Sequence, residues 1–336
     1  MKIIFPDLAF RDLFANHLLS AGQIASMTPG LFHLLLYSVI IISVTWLLIR
    51  SQAHLLLKTI LQLRQKEKAL QDIESEREQL EIKNKSITES LVYAQRIQEA
   101  LLPSEDNMQK YVRQSFILYK PRDIVSGDFY WTGEKGDKRF IAAADCTGHG
   151  VPGALMSMIG HDLLEKIINT DEQDHPGRIL DSMNKALADT FRGARSVGTI
   201  IRDGMDIGIC AIDIKKKKIE YAGAFFPLYL IRENRLIETK GDKYVLGTVS
   251  EGSNYSTTEI DLQPDDILYL FSDGYMDQFG GDENKKFMYR RFRYLLMTIH
   301  RFPLQDQKSI LEENIRKWQG TNPQVDDILV IGFKPI

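Results

Sequence analysis

Residues 141–153 read IAAADCTGHGVPG. An apolar run, 140–144, ends in one carboxylate, Asp145, followed by the small, turn-forming residues Thr147, Gly148, Gly150 and Gly153. The run has the pattern of a buried strand. A helical pattern begins near Val151, and Pro152 suits its first turn, where a missing N–H is not needed. A strand that delivers one Asp into a glycine turn can hold a hard cation. The strand fixes the carboxylate, and the glycines admit carbonyl oxygens and a ligand at close range. A plain strand-to-helix turn with a capping Asp would give the same local pattern, so the decision rests on what surrounds it.

Three other stretches repeat the arrangement. Asp128 lies in VSGDFYW (125–131), Asp273 in LYLFSDG (268–274), and Asp326–Asp327 precede ILVIG (328–332). Asp is depleted inside strands, so its return at four strand ends, each beside Gly or another Asp, needs a reason. Carboxylates converging on one point repel unless a cation lies between them. Two Mg²⁺ or Mn²⁺ ions would resolve the repulsion, acidify a bridging water and clamp an attacking and a leaving oxygen. Oxygen-only donors favour Mg or Mn over Zn or Cu. Phosphate ester hydrolysis is the chemistry such a centre suits.

The chain has 336 residues, 44% of them apolar, and a formal net charge of -3. The length suggests one large domain or two smaller units, and no overall basic field points to nucleic acid. Two cysteines, Cys146 and Cys210, with no CxxC spacing, fit a reducing compartment. Residues 1–30 are mixed: Phe5, Leu8, Phe10, Leu13, Phe14, Leu18 and Leu19 could share a helix face, interrupted by Asp7, Arg11, Asp12 and Asn16. That pattern suits an interfacial helix or a short extracytoplasmic segment.

Residues 31–49 contain no acidic or basic side chain apart from His33. A helix of that length covers roughly 28 Å, the thickness of a bilayer's hydrocarbon core. Trp46 lies near one end, where an interfacial aromatic belongs. A buried core helix is the alternative, and the strongly polar sequence that follows argues against it. Arg50, Lys58, Arg64, Lys66 and Lys68 follow the span, against Lys2 and Arg11 before it. The positive-inside rule therefore puts the C-terminal part in the cytoplasm, on an inner membrane crossed once.

Residues 52–102 hold no Pro or Gly. With Leu63 at position a of a heptad, the a positions are Leu63, Leu70, Arg77, Asn84, Leu91 and Gln98. The d positions are Lys66, Ile73, Leu80, Ile87, Ala94 and Leu101. This broken but sustained seam, with Asn84 at an a position, predicts a parallel coiled-coil homodimer. A single solvated helix is the alternative. Pro103 ends it.

From residue 110 to 336 short β-rich runs alternate with turn signals. Strands are expected at 115–119, 129–132, 139–144, 205–214, 218–224, 228–232, 257–262, 267–272 and 328–333, with hairpins around 215–217 and 233–234. Helices are expected at 151–169, 176–191, 285–300 and 304–318. This mixture predicts an α+β domain, a sheet sandwich covered by helices.

The motifs SGDFYW, ADCTGHGVPGALMS, FSDGYMDQ and VDDILVIGF, in this order, resemble the PPM-type (protein phosphatase 2C-like) serine/threonine phosphatases, and within them the bacterial SpoIIE-like branch. AQRIQEALLP (94–103), DGMDIGIC (203–210) and YAGAFFPLYLIR (221–232) extend the resemblance over about 94–334. It implies a four-layer α/β/β/α sandwich with two Mn²⁺ or Mg²⁺ ions. Asp145 would bridge both, assisted by the Cys146 backbone carbonyl; Asp128 would serve the second ion, and Asp273 and Asp326 the first, with Asp327 shaping the turn. Asp145 and Asp273 would carry the catalysis of water attacking a phosphoserine or phosphothreonine in line. The implied substrate is a phosphoprotein, a STAS-type anti-sigma-factor antagonist, with control exerted through helices abutting the site, here residues 97–102.

The sequence also departs from the family. Where eukaryotic relatives place a His two residues after the bridging Asp, His149 comes four after Asp145, which suits a turn-stabilising role. Phe225–Phe226 replace polar residues, and Leu329 replaces a Thr or Ser. Arg122 and Arg202 could meet phosphate or be ordinary surface arginines, and Asp277 could support the site. A catalytically inactive scaffold of the same fold is the rival reading. A nucleotidyl cyclase or phosphodiesterase is disfavoured by the lack of a P-loop, HD pair or GGDEF-like run.

Overall fold

The computed structural model describes residues 28–171, 173–195, 204–247 and 254–336. The apolar positions expected on a helix face from Phe5 to Leu19, and Arg202 and Asp203, lie outside them. The chain divides into two compact units, Met1–Asn84 and Lys85–Ile336.

In the first unit runs α1 (Pro29–Leu101), an unbroken helix whose last turns belong to the second unit. Its start at Pro29 uses a residue with no N–H to satisfy. Good helix formers without Pro or Gly carry it on, and it stops two residues before Pro103. Its N-terminal part, with a mean hydropathy of 2.2 and no buried residue, is long and apolar enough to cross a membrane. Further along, Leu63, Leu70, Ile73, Leu80 and Ile87 are all exposed.

The second unit opens with the end of α1 and the short helix α2 (Glu105–Tyr111), capped by the Ser104 hydroxyl on the Asn107 N–H. Two five-stranded antiparallel sheets follow. In spatial order one holds β1 (Gln114–Lys120), β12 (Ile328–Lys334), β9 (Ile267–Phe271), β6 (Leu228–Arg232) and β7 (Arg235–Thr239). The other holds β2 (Phe129–Lys135), β3 (Lys138–Cys146), β4 (Met205–Asp213), β5 (Lys218–Ala224) and β8 (Thr258–Asp261). Helices α3 (Gly150–Asn169) and α4 (Pro176–Arg195) cover the outer face of the second sheet. Helices α6 (Tyr289–Ile299) and α7 (Leu304–Gln319) cover the outer face of the first. A one-turn helix, α5 (Gly274–Asp277), and a small hairpin, β10 (Phe279–Gly280) with β11 (Lys285–Lys286), lie between β9 and α6.

Period-two alternation explains the layers. In β3, Phe140, Ala142 and Ala144 face the helices while Ile141 and Ala143 face the other sheet. In β12, Leu329, Ile331 and Phe333 face between the sheets, and Ile328 and Val330 face outward to α6 and α7. The four-layer α/β/β/α sandwich is therefore the observed architecture, and Cys146 and Cys210 are buried and free within it.

The expected strands all form, two of them with the expected bounds and the others with ends shifted by no more than three residues. One helix differs. Residues 285–288, expected to begin a helix, instead form β11 and a turn in which Met288 has φ +74°, so α6 starts only at Tyr289. Pairing of Phe279 with Lys286 outcompetes local helix propensity there.

Candidate metal centre

All four acidic stretches converge on one end of the slot between the sheets. Asp128 immediately precedes β2, where Phe129 faces the helices and Tyr130 the slot, so Asp128 also faces the slot. Asp145 is the last slot-facing residue of β3, directly after Ala144. Asp273 begins α5 two residues beyond β9, and Asp326 stands two residues before β12.

The supporting hydrogen bonds fix this end of the sandwich. The Ser272 hydroxyl donates to Asp128 Oδ2 at 2.5 Å and accepts the Leu329 N–H at 3.0 Å, joining β2 to β12. Asp327 is buried and accepts the Arg122 N–H and the Gly127 N–H, both at 2.7 Å. It thereby ties the β1–β2 loop to the start of β12, the turn-shaping arrangement expected of it. The turn after Asp145 needs Gly148, at φ +87°. A Cβ on Gly127 would lie 2.6 Å from the Gly148 carbonyl and 3.2 Å from that of Cys146. Only glycine lets the two loops approach so closely, and the Cys146 carbonyl is held in this crevice.

The electrostatics are those of an acid cluster in which burial and mutual repulsion outweigh the nearby positive charges. Burial, then the neighbouring Asp145, pushes the Asp128 carboxyl well above the usual range. Burial, then Asp273, Asp326 and Asp206, does the same to Asp145. Asp273 is pushed up to about 6 by burial and then by Asp277 and Asp326, with Lys286 opposing. Asp326 is raised chiefly by burial. Among the described residues no Lys or Arg forms an ion pair with any of the four.

Divalent ions fit this donor set. Among the described residues no three His, Cys, Asp or Glu side chains close on a single point. The oxygen donors themselves are of the class that Mg²⁺ or Mn²⁺ takes in preference to Zn²⁺ or Cu²⁺.

Residues 135–335 match the family described as stage II sporulation protein E (SpoIIE). This chain belongs to the SpoIIE family. Over 160 residues it is 26% identical to Phosphoserine phosphatase RsbU of Bacillus subtilis (strain 168), covering 46% of this chain and 44% of that protein. Over 169 residues it is 25% identical to Phosphoserine phosphatase RsbP of the same organism, covering 47% and 38%. The chain thus spans less than half the length of these relatives. Among solved structures it is similar to the SiaA-PP2C domain of Pseudomonas aeruginosa, at 34% identity and a TM-score of 0.68, covering 75% of this chain and 98% of that one. It shares its fold with the PP2C domain and regulatory fragment of SpoIIE from Bacillus subtilis, at 17% identity and a TM-score of 0.52, covering 66% and 62%.

The SpoIIE-family domain here brings in further residues. Asp206, in β4, pairs in register with Asp145, so both side chains leave the same face of the sheet. Burial and then Asp273 push it up to about 6. The sequence pattern does not single it out, because Asp206 lies within the strand MDIGIC between Met205 and Ile207, with no Gly or second Asp beside it. Gln98, at an a position of the heptad, does not face solvent. It is buried, donates to the Ser126 carbonyl at 2.7 Å and the Ser157 hydroxyl at 2.8 Å, and accepts the Ser126 N–H at 3.0 Å. His149 caps nothing at the start of α3 and instead pairs through Nδ1 with Asp123 at 2.8 Å, holding the β1–β2 loop to the glycine turn. Phe226 is core, while Phe225 is exposed at φ +51°.

Proposed function

We propose that this chain is a divalent-metal-dependent phosphoprotein phosphatase acting on phosphoserine or phosphothreonine. The observation that carries the reading is the convergence of Asp128, Asp145, Asp273 and Asp326, from four separate strand ends, on one end of the slot between the sheets, where among the described residues none of them is ion-paired with Lys or Arg. The likeness to proteins named phosphoserine phosphatases supports the same chemistry.

In this reading Asp128, Asp145, Asp273 and Asp326, with the Cys146 carbonyl, would hold two Mn²⁺ or Mg²⁺ ions. Asp206 lends charge beside Asp145. Bound ions supply Lewis-acid charge and lower the pKa of water. The protein's own part is to fix the carboxylates on rigid strand ends, to orient Asp128 through Ser272, and to keep the loops apart by no more than a glycine's width. Residues 31–49 anchor the chain in the membrane, residues 52–102 pair two copies in a coiled coil, and residues 110–336 do the chemistry in the cytoplasm. The substrate is a phosphorylated regulator of the STAS type, in line with the RsbU and RsbP resemblance.

The test is phosphate release by the full-length protein in detergent from a phosphoserine peptide and from a phosphorylated STAS protein, with and without Mn²⁺. Mn²⁺-dependent turnover lost in both Asp145→Ala and Asp273→Ala is the expected result. A protein that binds the STAS partner tightly but releases no phosphate under any metal condition would make it a scaffold instead.

A further inference from the structure

Three basic groups act electrostatically on the acid cluster from outside it: His149 and Arg122 on Asp326, and Lys286 on Asp273. His149 is already paired with Asp123. Arg122 is already engaged, its Nη1 donating to the Val325 carbonyl at 3.0 Å. Lys286 is differently placed. Its Nζ donates to Asp277 Oδ2 at 2.7 Å, and the Asp277 N–H donates to the Asp273 carbonyl at 2.9 Å. One helical turn and one ion pair therefore separate this ammonium from a residue of the acid cluster.

The hairpin that carries it is firmly built. Phe279 pairs with Lys286 and Gly280 with Lys285. The Phe287 N–H donates to the Gln278 carbonyl at 3.0 Å, and the Met288 N–H to the Met276 carbonyl at 2.8 Å. The Phe287 ring packs edge-on against Tyr275 and Trp318. A lysine offers three N–H donors, and Asp277 is the one partner found for Lys286 among the described residues. With its side chain 42% exposed, the ammonium also faces solvent.

An exposed Lys–Asp pair adds little stability by itself. Its position matters here, because a phosphate dianion approaching five clustered carboxylates meets a repulsive field unless a cation stands at the edge. We propose that Lys286 contacts a non-bridging oxygen of the substrate's phosphoryl group and that Asp277 positions it there. This rests on the phosphatase reading above. A point charge of this kind holds phosphate in the ground state as well as during reaction, so its loss shows in KM and in product affinity more than in kcat.

The experiment uses the full-length protein in detergent with Mn²⁺ and the variants Lys286→Gln, Lys286→Arg and Asp277→Asn. It measures inorganic phosphate binding by calorimetry, KM and kcat for p-nitrophenyl phosphate, and Mn²⁺ affinity by paramagnetic resonance of the free ion. In Lys286→Gln, phosphate binding weakens and KM rises by about tenfold, the size of one charge-assisted hydrogen bond. Mn²⁺ affinity stays within about twofold of wild type in the same variant, since no direct metal contact is lost. Lys286→Arg recovers most of the loss, and Asp277→Asn falls between. Because p-nitrophenyl phosphate carries no peptide, a contact with acidic residues flanking a phosphoserine would leave its KM unchanged and would overturn the proposal. Unchanged phosphate affinity in a folded Lys286→Gln protein would do so too, as would a parallel loss of Mn²⁺ binding. If wild-type protein binds phosphate but hydrolyses no monoester, the phosphatase reading fails, while the calorimetric comparison still decides the role of Lys286.

Discussion

Asp145 and Asp206 stand opposite each other on adjacent antiparallel strands, with Cβ atoms about 5 Å apart for such a pair. Like charges there destabilise the sheet, and burial raises the cost of ionising either. Replacing Asp145 by Asn keeps the shape and removes one charge. Metal-free Asp145→Asn is therefore expected to melt a few degrees above wild type, since about 1 kcal/mol moves the midpoint by roughly 2–4 °C at this size. The same variant should lose stabilisation by Mn²⁺ and at least about 100-fold in turnover, the scale of removing a transition-state electrostatic contact. Thermal scans with chelator and with Mn²⁺ check both signs. The pH dependence follows from the same groups. Asp206 and Asp273 have folded-state pKa values raised to about 6, above the unfolded carboxylate value of about 3.9. The folded state then binds more protons than the unfolded between these limits, so stability falls as pH rises from about 4 through 6. In chelator the protein should melt lower at pH 7.5 than at pH 5.5, and Mn²⁺ should reverse that order. A melting point independent of pH across this range would contradict the clustering of charge.

At the scale of elements, the site depends on how closely strand ends and turns meet. A Cβ on Gly274 would lie 1.9 Å from the Asp327 carbonyl and 3.4 Å from the Asp326 Cβ. Gly274→Ala must therefore push α5 away from the start of β12 and spread Asp273 from Asp326. It should cost about 1–3 kcal/mol, as overpacking does, and lower Mn²⁺ affinity more than Asp277→Asn does. Gln98 sets a second expectation. Gln98→Leu strands the buried Ser126 N–H, two residues before Asp128, at a cost of about 1–3 kcal/mol, readable by denaturant unfolding. Such placements explain what sequence could show. Asp128, Asp145, Asp273 and Asp326 were legible because each breaks a strand pattern beside a turn, a purely local signal. Strands such as 218–224 and 228–232 were legible for the same reason, from alternation and flanking turns. Asp206 was hidden because its meaning lies in the register with Asp145, a relation between strands. The start of α6 was hidden because Lys286 is drawn into a hairpin by Phe279, and Gln98 because its hydrogen-bond partners lie 28 and 59 residues away.

At the scale of the molecule, the exposed stripe on α1 asks for a partner. Leu63, Leu70, Ile73, Leu80 and Ile87 are 58–67% exposed in the single chain and occupy heptad positions a and d, while Ile82, 70% exposed, lies off that seam. Isolated exposed leucines need no explanation, but five on one seam do. From Leu91 to Gln98 the same seam turns towards the protein's own interior: Leu91 and Ala94 are half-buried and Gln98 is buried, while Leu101 beyond them is exposed. A second copy is therefore expected to pair with residues up to about Ile87 and no further. Leu80→Asp places two carboxylates in such a seam and removes two buried leucines, each contributing about 1.5–3 kcal/mol. The dimer dissociation constant should then rise by about 100-fold or more, measured by light scattering of the full-length protein in detergent. Lys66→Leu, which fills a polar d position, should strengthen association in the same assay. Tyr93→Ala, off the seam, should leave it unchanged. A monomer at all concentrations in the wild type, or equal effects from Leu80→Asp and Tyr93→Ala, would remove the coiled coil and leave the stripe unexplained.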